Sequence, residues 1–418
     1  MAKIEPLRAL HYNLEKTGGL QDVIAPPYDV IDAAQRAELE RRSPYNVVRI
    51  DLPQGDDPYQ AAADELAVWR EQQVIVQDEQ PALWVLEQDY TGPDGKQRTR
   101  RGFLARVRVE EYGPGTIRPH ERTHPGPKED RLRLTRATKA NLSPIFSLFS
   151  DPTGAAWAAL EGSTAESPWG RATEQDGTED RIWRVAEPTA IAAVEDALRD
   201  AELLIADGHH RYETARTYAE EVGADGDHRY VLMCLVALQD PGLTVFPTHR
   251  LLKGLSADQQ EALAQSLRAH FEIEELTGVE QLAPAADPEQ VPMGYIDSHF
   301  QRPFRLTLKD QAAVDAALPG TSEAYRHLDT AVLEAVILKG ALRMTDEDID
   351  HLHQLGYARS AAEAIDLVKR AEFDAAFLMA PAPVERVQAI AAAGESMPPK
   401  STYFFPKVPT GLVFNQLG

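Results

Sequence analysis

The chain has 418 residues and is therefore too long for one ordinary core. Its composition, 43% hydrophobic and 26% charged, is typical of globular proteins. It carries 66 acidic and 43 basic residues, and the resulting net charge of −23 disfavours nucleic acid as a partner. The sequence contains no apolar run of the ~18 residues that a membrane helix needs, and no signal-peptide pattern. We therefore expect a cytoplasmic protein of two or three domains, with no nucleic-acid or membrane partner.

The N-terminal region predicts an α+β arrangement. Two prolines, Pro26 and Pro27, fix a rigid approach to Tyr28 and Asp29, which are placed either for ligand binding or only for the start of a helix that Asp32 caps. Apolar patterning then predicts the following elements. They are a strand at 46–52, an amphipathic helix at 59–72, and strands at 83–90 and 100–109 joined by a hairpin turn at 92–95.

A second stretch, residues 117–149, concentrates charged and histidine side chains after a Pro/Gly-rich loop. The candidates in it are His120, Glu121, Arg122, His124, Lys128, Asp130, Arg131 and Asn141. The two histidines with a carboxylate could ligate a divalent metal, but Pro125 interrupts the helix that would place them on one face. Alternatively, the basic side chains from Lys128 to Arg136 bind phosphate, with Glu121 or Asp130 as general base. A third interpretation is a solvated helix face over 130–139.

Residues 203–215, LLIADGHHRYETA, predict a strand, a tight turn and a helix. The amides that begin a helix favour an anion, and Gly208 permits close approach to the backbone. Side chains of His209, His210 and Arg211 would add donors there, so the turn predicts a phosphate cradle. In the alternative interpretation, Asp207 only caps the helix and the basic residues are a solvated turn.

The rest of the chain predicts further alternation of strands and helices. Cys234 lies in the apolar run 229–238 and predicts a buried, unreactive thiol in a reducing compartment. His249 follows a short strand, where a loop could face the same site as His209. The remaining predicted helices are at 257–271, 328–342 and 384–393, and the remaining strands at 243–246, 293–296, 304–309 and 377–379. The tail over 397–412 should pack on the body because of its aromatics, and would hold Lys400, Ser401 and Thr402 against a surface or cleft.

Two resemblances follow from these motifs. The strand, D-G-H-H-R turn and helix, preceded by an amphipathic helix at 187–198, resemble the phosphate-binding turn of the ParB/sulfiredoxin superfamily, in particular its free-serine kinases. Five ordered motifs resemble the bacterial and archaeal domain-of-unknown-function family 1015. They are PPYDVI, HERTHPGPKEDRL with ATKANLSPIF, IADGHHRYETA, FPTHRL and MPPKSTYFFPKVPTGL.

Together these observations predict an α/β to α+β fold: a mixed sheet with a ParB/sulfiredoxin-like strand-turn-helix element plus smaller α+β insertions. The expected division has five parts. They are an N-terminal α+β domain at 1–150, a loose insertion at 151–186, a phosphate-binding core at 187–254, a small α+β insertion at 255–318, and a helical region with a packed tail at 319–418.

The resemblance and the turn together suggest a phosphoryl-transfer enzyme, a kinase of a small metabolite such as serine, using Mg²⁺ with ATP or ADP. The partners would be a small-molecule phosphate donor and a metabolite acceptor. A phosphatase or other hydrolase using the paired histidines, or a non-catalytic nucleotide sensor, remains open. The predicted catalytic residues are Glu121, Asp130 and His210, with Asp29 as a further candidate to orient the acceptor. Phosphate would be bound by Asp207, Gly208, His209, His210, Arg211 and Arg131, and substrate by Tyr28, Asp29, His120, His249, Lys400, Ser401 and Thr402.

These segments are far apart in the sequence, yet all are polar and bounded by prolines or glycines, which suggests a shared ligand. We expect them to converge on one pocket. In a chain of this negative charge, such a pocket would be a local basic island that attracts a phosphorylated metabolite.

Overall fold

The computed structural model describes residues 2–92, 94–112, 115–121, 125–285, 287 and 290–418, with the backbone alone for 125–127. The described chain forms two compact units. The first contains residues 2–119, 125–244 and 406–418 as far as they are described, and the second contains residues 120–121 and 245–405. The finer division into five parts stays a prediction.

The first unit is a mixed α/β structure. Its strands are β1 (Ile4–Glu5), β2 (Leu10–Tyr12), β3 (Ile75–Gln77), β4 (Leu83–Thr91), β5 (Gln97–Arg108), β6 (Ile117–Arg118), β7 (Ala140–Asn141), β8 (Ile145–Phe149), β9 (Gly170–Thr173), β10 (Glu179–Val185), β11 (Leu203–Asp207) and β12 (Tyr230–Ala237). Its helices are α1 (Leu14–Thr17), α2 (Ala33–Arg42), α3 (Val48–Asp51), α4 (Pro58–Glu71), α5 (Pro125–Thr138), α6 (Ala155–Leu160), α7 (Pro188–Ala197) and α8 (His209–Val222).

Nine strands of this unit form one mixed sheet among the described residues. The strand order is β6-β11-β8-β12-β5-β4-β10-β9, and β1 pairs with β5. Strands β8 and β12 are parallel, as are β6 and β11, whereas the other neighbours are antiparallel. The predicted mixed sheet is therefore confirmed, and so is the hairpin of β4 and β5, in which Trp84 faces Leu104.

The central strands are buried on both faces, which explains their continuous apolar sequences. On one face, Phe103, Met233 and Leu235 belong to a core that helices α6 and α7 cover. Cys234 points to the other face and is 1% exposed, so the predicted buried thiol is confirmed. Burial raises the pKa of this thiol to about 12, against the smaller opposing effect of the Arg100 charge.

The predicted strand at 46–52 is wrong, because this segment contains helix α3. Asn46 explains the difference: its carboxamide oxygen accepts a hydrogen bond from the amide of Val48, and its nitrogen donates to the carbonyls of Asp22 and Ile24. Val47, Val48 and Ile50 are all buried. The segment has only seven residues, with Arg49 and Asp51 between apolar ones, and so short a pattern does not distinguish a helix from a strand.

The segment at 151–186 was expected to be a loose insertion. It contains β9 and β10, which extend the large sheet at the side of β4. Strand β10 pairs with β4 over seven residues, from Glu179 opposite Asp89 to Val185 opposite Leu83. The polar stretch between helix α6 and these strands had hidden their pattern.

Strand β13 (Thr244–Phe246) lies where the chain passes from the first unit to the second. The further strands of the second unit are β14 (His249–Leu252), β15 (Phe271–Glu275), β16 (Pro292–Asp297), β17 (Phe304–Leu308), β18 (Leu355–Ala358), β19 (Ala375–Leu378) and β20 (Tyr403–Phe405). Its helices are α9 (Ala257–His270), α10 (Ala312–Ala317), α11 (Glu323–Arg326), α12 (Asp329–Val332) with a π-helical continuation over Leu333–Ala341, α13 (Asp346–Asp350), α14 (Ala361–Lys369) and α15 (Val384–Ala392).

Six of these strands form an antiparallel sheet in the order β15-β17-β16-β19-β14-β18. Successive residues of β14 face opposite cores, because side chains alternate along a strand. Leu252 packs with α9 residues such as Leu263 on one face, whereas Leu251 packs with α14 residues such as Val368 on the other. The second unit is thus a three-layer structure of helix, sheet and helix.

The tail is packed, as its aromatics predict. Strand β20 pairs with β13 in the second unit, and Phe404 is 1% exposed. Beyond it, the last residues belong to the first unit, where β21 (Asn415–Gln416) pairs with β7 and Phe414 is fully buried. None of the described helices combines the length and the apolar character that crossing a bilayer requires.

Candidate phosphate-binding site

The D-G-H-H-R turn lies between β11 and α8, which confirms the predicted strand, turn and helix. Gly208 has φ of 98° and ψ of 29°, a left-handed conformation that favours glycine. It stands at the N-terminus of α8, and no side chain caps the helix there. The interpretation in which Asp207 caps α8 is therefore wrong.

Asp207 instead holds two cations. One carboxylate oxygen accepts a hydrogen bond from Lys407 Nζ at 2.8 Å, and the other accepts from Arg211 Nη2 at 2.7 Å. Although burial of the Asp207 carboxylate raises its pKa, the charges of Lys407 and Arg211 outweigh that effect and hold the pKa well below its usual value. The aspartate is therefore ionised at neutral pH and fixes the side chain of Arg211.

Arg211 is buried, with 9% of its side chain exposed. Its Nη1 donates to Ser143 Oγ at 2.8 Å and to the carbonyl oxygen of Pro144. Its Nε is buried without a hydrogen-bond partner among the described residues. Buried donors are rarely left unsatisfied, so this nitrogen has capacity for a further acceptor.

Arg131, on helix α5, lines the same small pocket as Arg211. Its Nη1 donates to the backbone carbonyl of Asp51 at 2.7 Å and to the Asp51 carboxylate at 3.2 Å, while Nε and Nη2 donate to Asp130 at 2.8 and 2.6 Å. The guanidinium lies 4.3 Å from the centre of the Tyr28 ring. Asp130 also accepts a hydrogen bond from the hydroxyl of Tyr59 at 2.9 Å, so both of its oxygens are engaged.

Tyr28, Asp51, Arg131, Ser143 and Arg211 line one small pocket of about 40 Å³. A water molecule needs about 10–15 Å³ of such space, so the pocket accommodates a few waters or a small polar group and not a whole nucleotide. Burial raises the pKa of the Asp51 carboxyl, against the opposing charges of Arg131 and Arg211. Burial likewise raises the pKa of Tyr28 to about 12, which keeps the phenol protonated.

The described cations of this site are paired with carboxylates, and the local basic island stays a prediction together with the convergence of the segments. The carboxylates that pair with Arg131, Arg211 and Lys407 are Asp51, Asp130 and Asp207. The other basic candidates of helix α5 are paired as well. Lys128 contacts Glu213 at 2.8 Å and Arg136 contacts Glu221 at 2.5 Å. Burying an unpaired cation is costly, which explains why the buried cations of this site are matched with acids.

The two histidines of the turn occupy the first positions of α8. His209 is 5% exposed and His210 is half-buried, and neither lines the small pocket. Asp29 lies in a short 3₁₀ turn over Tyr28–Val30 and is exposed. Its carboxylate makes no hydrogen bond or ion pair with a described residue, although its charge interacts with that of Arg211.

The second unit brings together four other predicted residues. His120 is fully buried, and its Nε2 lies 2.9 Å from Thr402 Oγ1 and 4.0 Å from Glu121 Oε1. Ser401 donates to the carbonyl of Pro398 at 2.7 Å and lies 2.9 Å from Thr330 Oγ1. These contacts tie the tail to its own unit, which is the structural role that the sequence left open.

His249 does not lie in a loop, because it begins strand β14. It is 3% exposed, and its Nδ1 accepts a hydrogen bond from the amide of Met379 at 3.1 Å. Burial, with the nearby charge of Arg250, lowers the pKa of His249 to about 4, so the ring is neutral at physiological pH. Lys400, by contrast, is exposed and has φ of 58°.

The predicted residues thus fall into two groups. Tyr28, Asp29, Asp130, Arg131 and residues 207–211 belong to the first unit, and His120, Glu121, His249 and residues 400–402 to the second. Their convergence on one pocket stays a prediction. Arg122 and His124 lie outside the described residues, and no group of three His, Cys, Asp or Glu side chains suited to a metal occurs within them.

Three residues of this site escaped the sequence analysis. Lys407 stands in the tail motif, but no hydroxyl residue lies next to it as Ser401 lies next to Lys400. Ser143 stands in the ATKANLSPIF motif quoted above. Asp51 stands between the apolar residues Ile50 and Leu52, and an acidic residue in such a position could have been noted as a candidate. No local pattern connects Lys407 with Asp207, which precedes it by 200 residues.

Comparison with known proteins gives distant structural likenesses. A conserved hypothetical protein from Pyrococcus furiosus aligns with 17% identity over 71% of this chain and 90% of its own, at a TM-score of 0.35. A free serine kinase in complex with AMP aligns with 16% identity over 71% and 89%, also at 0.35. C-terminally truncated SbnI from Staphylococcus aureus aligns with 12% identity over 73% and 84%, at 0.36. Likenesses this distant say nothing about the activity of this chain.

No curated protein matches the sequence. A family model described as "Protein of unknown function (DUF1015)" matches residues 4–331. Four of the five motifs noted above fall within that range, and the tail motif follows it. Because the match covers most of the chain, the protein belongs to this family of unknown function.

Proposed function

We propose that the protein is a small-molecule phosphotransferase that binds a nucleotide phosphate at the N-terminus of α8. The observation that carries the proposal is the helix start itself: Gly208 is left-handed, and no side chain caps the helix. The first amides of such a helix have no intrahelical acceptor, so they can donate hydrogen bonds to a phosphate group. The unpartnered Nε of Arg211 supplies a further buried donor beside it.

We further propose that this element is of the ParB/sulfiredoxin type. The acceptor would then be a free amino acid such as serine. An anion at the turn would compete with Asp207 for Arg211 and Lys407, since both cations are paired in this structure. Phosphate would therefore bind best when a metal cation adds positive charge to the site. Mg²⁺ would arrive with ATP or ADP, because this ion is held mainly by phosphate oxygens and water with one or two carboxylates.

Asp29 is the carboxylate that we assign to orient and deprotonate the acceptor hydroxyl. Asp130 is bound by Arg131 and Tyr59, and Asp51 is buried against Arg131. Asp29 remains exposed, and its charge acts on Arg211. Glu121, which belongs to the second unit, stays an alternative for the same role.

The test is nucleotide binding and phosphoryl transfer by the purified chain, with serine and related hydroxy acids as acceptors. Asp29→Asn should lower turnover about 10²–10⁴-fold, the usual contribution of a general base, while nucleotide affinity changes little. Asp22→Asn is the matched control, because Asp22 is an exposed aspartate of the same segment.

Four outcomes are decisive. Loss of turnover in Asp29→Asn but not in Asp22→Asn supports the assignment. Full activity of both variants shows that Asp29 is not the general base and leaves Glu121 as the candidate. A chain that binds no nucleotide contradicts the proposal, whereas one that binds nucleotide without transferring phosphate is a sensor.

A further inference from the structure

The second unit contains a pocket of about 300 Å³ that the proposed function does not use. It lies between helix α9 and the end of the antiparallel sheet where β16 finishes and β17 begins. Leu263 and Leu267 of α9 and Leu306 of β17 form its apolar floor. Ligand pockets are typically concave and apolar, with a few polar groups that fix orientation.

Three aromatic side chains line this pocket: Tyr295, Phe300 and Phe304. The ring centres of Tyr295 and Phe304 are 6.5 Å apart. Phe300 is 66% exposed in the turn after β16, next to its ring partner His299. Most of this ring is exposed, so its face is available to a ligand in the pocket.

Two carboxylates line the same pocket. Asp297 stands opposite Ala375 in the pairing of β16 with β19, which places Asp374 at the same corner of the sheet. One oxygen of Asp297 accepts hydrogen bonds from the amides of His299 and Phe300 at 3.0 and 2.7 Å. One oxygen of Asp374 accepts from the amide of Leu255 at 2.8 Å.

The other oxygen of each carboxylate accepts no hydrogen bond from a described residue. The two groups are therefore held in place by the backbone and retain capacity for a donor. Among the described lining residues, Arg268 is the one permanent cation, and it lies 3.6 Å from Glu261 on its own helix. The lining thus carries net negative charge in a chain that is itself strongly acidic.

We propose that this pocket binds a small organic cation, a protonated amine with an apolar body. Aromatic faces attract ammonium groups through the ring quadrupole, and the carboxylates would provide charge-assisted hydrogen bonds. An anion of the same shape would be repelled by Asp297 and Asp374, and a neutral molecule would not neutralise their charges.

Calorimetry on the full chain with three molecules of equal body tests the charge requirement. The probes are phenethylammonium, 2-phenylethanol and 3-phenylpropionate. The ammonium should bind at least about tenfold more tightly than the alcohol, the ratio expected for one hydrogen bond to a charged group, and the carboxylate should bind least. Equal binding of the three probes, or tighter binding of the carboxylate, overturns the proposal.

Two variants locate the site. Asp297→Asn keeps an oxygen for the amides of its turn and should weaken phenethylammonium about tenfold, the effect of removing one charged partner. Asp258→Asn, an exposed residue of α9 outside the pocket, is the control and should leave binding unchanged. Ala264→Phe fills the pocket from α9 and should abolish binding without touching either carboxylate. If Ala264→Phe binds as well as the unchanged chain, the proposal is wrong, whatever Asp297→Asn does to folding.

Discussion

Asp207 determines the local electrostatics of the candidate site, because one carboxylate holds both Arg211 and Lys407. All three side chains are largely buried, with exposed fractions of 17, 9 and 18%. Removing one member of a buried ion pair leaves the others unpaired in a medium of low polarity, which costs more than an exposed pair contributes.

Asp207→Asn should lower the free energy of unfolding by about 3 kcal/mol. Asp196→Asn breaks the exposed pair of Asp196 with Arg199 and should change it by less than about 1 kcal/mol. Because the pKa of Asp207 is lowered by folding, its contribution is present above the unfolded-state value near ~4 and is lost as pH falls. Urea unfolding at pH 7 and at pH 3 should therefore show a smaller difference between the unchanged chain and Asp207→Asn at the lower pH. A difference that does not narrow contradicts this account.

Cys234 offers a second test at this scale. Its thiol is 1% exposed in β12, and its raised pKa leaves almost no thiolate at neutral pH. Since the thiolate is the reactive form, a thiol reagent should label the native protein slowly and the urea-unfolded protein quickly. Rapid labelling of the native chain would contradict the position of the residue in the sheet.

At the scale of elements, the junction of β11 and α8 depends on Gly208. A Cβ at this position would lie 2.9 Å from Arg211 Nε, and the residue has a left-handed φ. Gly208→Ala therefore strains the backbone and displaces the guanidinium. We expect a loss of about 1–2 kcal/mol in the free energy of unfolding, together with weaker nucleotide binding if the turn is the phosphate site.

The matched control is Gly162→Ala. Gly162 has no positive φ and no atom within 4 Å of the added Cβ. Its substitution should leave both stability and binding nearly unchanged, as measured by urea unfolding and calorimetry. If the two substitutions had equal effects, the left-handed conformation at Gly208 would not determine stability or nucleotide binding.

At the scale of the whole molecule, the pH dependence of stability reflects a second group of buried carboxyls in the first unit. Glu174 and Asp180 are buried neighbours near Arg100 and Asp176, and Glu174 Oε1 and Asp180 Oδ2 have no hydrogen-bond partner among the described residues. Burial raises the pKa of Asp180 to about 7, and it also raises the pKa of Glu174 well above the usual value. The pair is thus stable when it shares a proton.

Because both values are raised by folding, this contribution is complete below the unfolded-state pKa near ~4 and is lost as pH rises through about 7. Glu174→Gln supplies a permanent donor, so it should raise stability at pH 8 and flatten the profile between pH 5 and 8. The change should be on the order of a few kcal/mol, since one pKa unit corresponds to about 1.4 kcal/mol. Glu179→Gln, an exposed neighbour on β10, should leave the profile unchanged. An unaltered slope in Glu174→Gln would contradict the shared proton.

The sequence by itself determined the elements whose local pattern has a single solution. Strong turn residues between β4 and β5, and the apolar run, Asp-Gly and helical periodicity from Leu203 onward, each specified one structure. The same local signals identified the turn and the charged residues of α5 as candidates. In the short segment at 46–52 the pattern was ambiguous, and the contacts of Asn46 decided for a helix.

Only the tertiary structure decided how the charges are matched. The sequence shows Arg131 and Arg211 as basic residues, which predict a local excess of positive charge, and nothing in it connects Lys407 with them. Each of them is paired with a carboxylate in the folded unit, and the partner of Lys407 lies 200 residues away in the chain. Pairing is set by burial, because an unmatched charge is expensive only where water is excluded, and burial is a property of the fold that no short stretch of sequence contains.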